Sequence, residues 1–185
     1  MTARRTSLIL TFAALLLAAG AALAQQPLTL FGLTFPDRIA GTQRMPPHDF
    51  ESKNPGLGYS VEYRTQGWKI DVYVYDLGRS SIPDDPQSEA VTGQLAQATG
   101  DIYKSYGQVE TRLTYAILDD AAHVRFLCRS FGYNDKQGPR DSYLCVTSAR
   151  GKFVKFRLTT ERRPGSESAA NGFVQAWTGV LWGGP

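Results

Sequence analysis

Two histidines and two cysteines are the side chains of this 185-residue chain best suited to metal, acid–base or redox chemistry. His48 stands in the run Pro46-Pro47-His48-Asp49, and His123 follows Asp119-Asp120-Ala121-Ala122. Imidazole with carboxylate can hold several metals, but no HExxH or comparable spacing joins these residues. Turn acids beside a solvated histidine account for the same pattern. A nucleophile elbow of the GxSxG form is absent, and so are GxGxxG and phosphate-loop glycines. A histidine-dependent hydrolase would have to draw on His48 or His123, and neither adjoins a recognisable nucleophile motif. No catalytic, metal or cofactor-binding residue is assigned, and a binding protein is expected rather than an enzyme.

Cys128 and Cys145 form no CxxC, which excludes thioredoxin-type redox chemistry. Val124–Tyr133 and Asp141–Ser148 read as strands around the turn-forming run Asn134–Arg140. A hairpin centred near Lys136–Gln137 sets the two cysteines face to face, within reach of a disulfide. Two buried free thiols are the alternative, and the compartment bears on the choice. Residues 1–24 carry Arg4 and Arg5 ahead of an uncharged apolar run that ends in Ala22-Leu23-Ala24. That is the form of a signal peptide cleaved between Ala24 and Gln25. The run is short and alanine-rich for a spanning helix, so no transmembrane segment is expected after its removal. Export to a periplasm, or out of the cell, places the cysteines where disulfides persist.

Removing the leader leaves one domain, 25–185, of 161 residues, and lowers the formal charge from +3 to +1. A chain of that length buries a sizeable core. Its elements follow from periodicity. Gln25–Phe35 is an apolar stretch ended by Pro36, and Gly41–Gly58 reads as a long surface connection. Tyr59–Arg64 and Trp68–Leu77 are strands joined at Gln66-Gly67. The second is apolar on both faces beyond Asp71, as a central strand is. A helix is expected from Asp85-Pro86 to Tyr106, with Asp85 as its cap and Gly107 as its stop. Strands follow over Val109–Leu118, the two cysteine segments and Lys152–Thr160. Val109, Thr111, Leu113, Tyr115 and Ile117 line one side of the first of these. A last helix spans about Glu167–Leu181, capped by Ser166 or Ser168. A mainly antiparallel sheet of about six to seven strands packed with two helices is an α+β layered fold.

Two surface features can bind something. Tyr59, Tyr63, Trp68, Tyr73 and Tyr75 cluster on the first hairpin. Tyr73 and Tyr75 share a face that can serve as a platform for a sugar, peptide or hydrophobic ligand, although strand aromatics more often pack in cores. Charge is polarised along the chain. Met45–His123 holds 6 basic and 12 acidic residues, whereas Val124–Arg163 holds 10 basic and 3 acidic. Arg125, Arg129, Arg150, Lys152, Lys155 and Arg157 make the candidate basic patch, with Lys155 and Arg157 on one strand face. Such a patch can dock an acidic protein, an anionic envelope surface or a polyanion, and a solvated sheet edge explains it equally well. Export argues against nucleic acid as the partner.

The Tyr59–Leu77 hairpin, the helix to Tyr106, the Val109–Thr160 meander and the Phe173–Leu181 helix together resemble the PsbP/Mog1-like α/β/α sandwich. The resemblance spans about Leu28 to Trp182 and is one of layout. The runs Phe35–Gly41 and Val72–Gly78 also look like stretches of uncharacterised exported bacterial proteins. The resemblance implies a non-enzymatic extrinsic or assembly protein. A cross-strand disulfide is not a hallmark of that family. The expectation is a small exported protein that binds a protein or envelope partner, with a small-ligand module on the aromatic hairpin as the alternative.

Overall fold

The computed structural model describes residues 27–183, so the expected leader and its cleavage point lie outside the described residues. The apolar stretch after them folds back on itself as a hairpin, β1 (Leu28–Leu30) and β2 (Leu33–Phe35). Eight further strands follow: β3 (Arg38–Ile39), β4 (Thr42–Asp49), β5 (Tyr59–Thr65), β6 (Trp68–Tyr75), β7 (Val109–Leu118), β8 (Val124–Asp135), β9 (Gly138–Ala149) and β10 (Lys152–Glu161). Helix α1 (Glu89–Tyr106) separates β6 from β7, and α2 (Ser166–Trp182) follows β10. Strands β3 to β10 form one antiparallel sheet in the order β3-β4-β5-β6-β10-β9-β8-β7. The architecture is α+β, with one helix on each face of the sheet.

Two runs of hairpins build this sheet, β3 to β6 and β7 to β10. They meet where β6 pairs with β10, Trp68 opposite Thr160 through Tyr75 opposite Phe153. The β8–β9 turn is the two residues Lys136 and Gln137, since Asp135 pairs with Gly138. That register sets Cys128 directly opposite Cys145, with Cα atoms 4.1 Å apart and the sulfurs bonded. At the β9–β10 turn Arg150 and Gly151 both take positive φ, 54° and 71°. This pairing matches the twist of a two-residue hairpin. The Asp84 carboxylate steadies it by accepting both amides, at 2.9 and 2.8 Å.

The strand periodicity puts different chemistry on the two faces. Val61, Tyr63, Ile70, Val72, Val74, Phe126, Cys128, Cys145, Val154, Phe156 and Leu158 point to α2, which answers with Phe173, Val174, Trp177 and Leu181. The β1–β2 hairpin closes this side, setting Phe35 at 5.5 Å from the Trp177 ring. On the other face Phe131, Leu144, Val146 and Phe153 pack against Val91, Leu95, Ala98 and Ile102 of α1. Polar order ties α2 down. Asp141 is buried and takes Arg112 Nη1 at 2.7 Å and the Ser166 hydroxyl at 2.8 Å. The side-chain-free Gly132 beside it leaves room for the Arg112 and Arg162 guanidinium groups.

Several expectations change here. Residues 42–49, inside the expected surface connection, form an eight-residue strand in spite of Pro46 and Pro47. The β4–β5 register shifts between Arg44 and Pro47, and a bulge is where a strand tolerates proline. With β3, this raises the main sheet from the expected six or seven strands to eight. Helix α1 starts at Glu89 and is capped by Ser88, whose hydroxyl accepts the Val91 amide at 3.4 Å. Asp85 instead accepts the Gln87 amide at 2.9 Å, an Asx turn that competes with helix capping. Gly165, at φ 80°, takes the cap position of α2, so neither Ser166 nor Ser168 caps it. Strand β7 does not present one continuous apolar side. Its register shifts between Thr111 and Leu113, so Val109 packs with the α1 cluster while Tyr115 and Ile117 pack with the α2 cluster, and Leu113 is exposed.

Candidate functional site

Strand β10 is the seam of the sheet, and its alternation decides what lies beside α1. Val154, Phe156 and Leu158 are buried towards α2, which turns Phe153, Lys155, Arg157 and Thr159 to the α1 face. Register then assembles a row across three strands. Lys155 lies between Tyr73 of β6 and Val146 of β9, and Arg157 lies between Asp71 and Leu144. Helix α1 covers the β8–β9 part of this row and stops short of β6. A cleft of about 330 Å³ opens between the helix residues Asp101, Ile102 and Tyr106 and the strand residues Asp71, Tyr73, Lys155 and Arg157.

Two of the three cations lining it, Lys155 and Arg157, have no carboxylate within 4.0 Å, and the third, Lys69, pairs with Asp71. Lys155 Nζ sits 4.4 Å from the centre of the Tyr73 ring and 5.3 Å from that of Tyr75. Burial lowers its pKa, and the neighbouring Arg157 charge adds to this against the pull of Asp101 and Asp71. The Arg157 guanidinium carbon lies 5.9 Å from the ring centres of both Tyr106 and Phe131. Both its terminal nitrogens are buried without a hydrogen-bond acceptor. Tyr106 in turn stacks on Tyr133 at 4.1 Å. Burial also raises the Asp71 carboxyl and pushes the Tyr73 phenol up to about 12. Charged side chains half-buried without matched partners are costly, and clustering of such groups in a cleft is a mark of functional sites.

The remaining residues singled out in the sequence are dispersed. Tyr75 is a core residue, 5% exposed, against Phe153. Tyr63 is buried on the α2 face and donates its hydroxyl to the Pro36 carbonyl at 2.9 Å. The six basic residues do not make one patch. Arg125 pairs with Asp119 at 2.7 Å and covers the Trp182 ring, and Lys152 pairs with Asp76. Arg150 donates to the Gly32 carbonyl, and Arg129 donates to Thr99 of α1 at 3.2 Å. Arg129, Lys155 and Arg157 share the α1 face, Arg129 and Arg157 both in register with Leu144, whereas Arg150 and Lys152 lie at the β9–β10 turn; acids from the first half of the chain neutralise Arg125 and Lys152. His48 is exposed against the Phe50 ring, and His123 Nδ1 lies 3.3 Å from Asp119. Neither histidine lines the cleft. Among the described residues no group of three or more His, Cys, Asp or Glu side chains is placed to hold a metal ion. No helix there is long and apolar enough to cross a membrane.

Tyr106, Tyr133, Asp71 and Asp101 belong to the cleft and were not singled out in the sequence. Besides Tyr73, Lys155 and Arg157 at alternate positions were the legible signal. Their aromatic and acidic neighbours arrive from three other elements, and only the packing of α1 on the sheet brings them together.

No family model matches the chain, and no curated protein matches it. Among solved structures, the chain is similar to the solution structure of cyanobacterial PsbP (CyanoP) from Synechocystis sp. PCC 6803. The alignment covers 79% of this chain and 82% of that one, at 17% identity and a TM-score of 0.43.

Proposed function

We propose that this chain is an exported, non-enzymatic protein that binds a protein or cell-envelope partner through the part of the sheet that α1 leaves uncovered. One observation carries the reading. The α2 face is apolar and closed, whereas on the other face Ser60, Glu62, Asp71, Tyr73, Lys155 and Arg157 stay partly exposed, with Arg64 and Lys69 fully so. Tyr73, Arg64 and Arg157 are of types enriched at recognition surfaces, and the polar groups around them suit the rim of one. Export is supported by the signal-peptide form of 1–24 and by the buried Cys128–Cys145 bridge, which suits an oxidising compartment.

The test is site-specific crosslinking in the native host. A photoreactive residue placed at Glu62 or Lys69 is expected to give a discrete adduct with one partner. The same residue at Ala176, on the exposed side of α2, is expected to give none. Equal adducts from all three positions, or no adduct from any, would remove this reading. The cleft favours a second reading, a small-ligand module, because its volume suits a head group or small molecule better than a folded partner.

A further inference from the structure

We infer that the cleft beside α1 is an oxyanion-binding site, in which Lys155 and Arg157 receive the carboxylate or phosphate group of a ligand whose planar body lies along Tyr73 and Tyr106. The inference deepens the proposed recognition surface by naming the chemistry it accepts.

Charge pairing around the cleft supports it. Each carboxylate at the cleft already has a cation: Lys69 at 3.8 Å from Asp71, Lys104 at 3.7 Å from Asp101, and Arg140 at 2.7 Å from Asp135. Lys155 and Arg157 have neither a carboxylate within 4.0 Å nor a hydrogen-bond acceptor; aromatic rings are their close contacts, and Asp71 and Asp101 act on them from farther away. Positive charge is therefore left over in this cleft. Among the other strand cations of the C-terminal half, Arg125, Arg140 and Lys152 each hold a carboxylate of this same chain, and Arg129 donates to the Thr99 hydroxyl.

Geometry supports it independently. Lys155 and Arg157 stand two residues apart on one strand face, so both heads serve one side of the sheet. A guanidinium presents paired N–H donors that match an oxyanion, and an ammonium adds a point charge. An incoming oxyanion would offset two adjacent like charges, and a side-chain shift that opens the buried Arg157 nitrogens to the cleft would give them the acceptors they lack. The Tyr106 ring, stacked on Tyr133, and the Tyr73 ring offer flat apolar surface on either side. Such walls favour an aromatic or otherwise planar ligand body.

Titration of the purified exported protein tests this, with inorganic phosphate, acetate, phenyl phosphate and benzoate as probes followed by NMR. Saturable shifts centred on Tyr73, Tyr106 and Lys155 are expected, with phenyl phosphate and benzoate binding more tightly than phosphate and acetate. Lys155→Met and Arg157→Met are each expected to weaken binding about tenfold or more, the scale of a lost charge-assisted hydrogen bond. Lys155→Arg should retain binding, and Lys152→Met, with the same charge change at the turn, should leave it unaltered. Thermal melting of each variant separates lost binding from lost folding. No saturable shift with any probe, or equal weakening by Lys152→Met, would overturn the inference. Anion binding is read on the isolated protein and partner capture in the host, so either can fail while the other stands.

Discussion

The two faces of one sheet make the instructive comparison. Towards α2, buried side chains from seven strands and the helix interlock, and edge-to-face aromatic contacts join Phe35, Tyr63 and Phe156 to Trp177. Asp141 is held there by Arg112 and Ser166, while the Ser130 and Thr147 hydroxyls and the Trp177 indole N–H are buried without a hydrogen-bond partner. Towards α1, a smaller apolar cluster gives way within one strand to charged groups whose surroundings disfavour their charge. The first face is built for stability. The second gives up some stability at Asp71, Lys155 and Arg157, a local inconsistency typical of places where a protein meets something else.

The largest effect should come from emptying the closed face. Trp177→Ala is expected to cost about 4 kcal/mol by leaving a large cavity, read as a shift in the denaturation midpoint. A variant that loses much less would mean that the α2 face is less tightly packed than its burial indicates. Next comes the bridge. Replacing both cysteines by alanine should cost about 3 kcal/mol by freeing the unfolded chain over this span, again by chemical denaturation. Intact protein unfolded without reductant should show no free thiol.

Acid should then act unequally on the molecule. Hydrogen bonding from the His123 amide and from Arg125 outweighs the opposing effect of burial and holds Asp119 at about 2. At Asp141 burial pushes the carboxyl up, but Ser166 and Arg112 outweigh it and leave the group below its ordinary value. Groups depressed in the folded state stabilise it above the unfolded carboxylate value near 4 and lose that contribution as pH falls below it. Melting temperature should drop between about pH 4 and pH 2, and Asp119→Asn should flatten the drop. Unchanged pH dependence in that variant would show that Asp119 is not among its causes.

The smallest effects belong to the open face. Lys155 is lowered in the folded state, so its charge costs stability at neutral pH, and the cost is relieved as pH rises through the shifted value towards that of the unfolded chain. Asp71, raised by burial, costs stability when ionised and less as pH falls. Lys155→Met and Asp71→Asn are expected to be neutral or slightly stabilising, within about 0.5 kcal/mol. A loss as large as that from Trp177→Ala would erase the contrast between the faces.

Much of this fold was legible because strand alternation is a local signal. The faces of β6 and β10, the centre of the β8–β9 turn and the opposition of Cys128 and Cys145 all follow from counting by twos. Pro46 and Pro47 concealed β4, because a bulge against β5 accommodates them and nothing local announces a bulge. Two register shifts in β7 likewise undid a clean alternation. The candidate site was legible in three of its residues, Tyr73, Lys155 and Arg157.

By itself the sequence determined the two helices, the strands from β5 to β10, the direction in which each β10 side chain points and the hairpin that aligns the cysteines, because these depend on neighbours a few residues apart. Tertiary structure alone decided which cations are neutralised and which are left over. Asp76 reaches Lys152, and Asp119 reaches Arg125 across the turn at the start of β8. Helix α1 settles on β8 and β9, leaving Lys155 and Arg157 to line a cleft. Charge pairing acts across a few ångströms of space, and the distances that govern it are set only when the helix packs on the sheet.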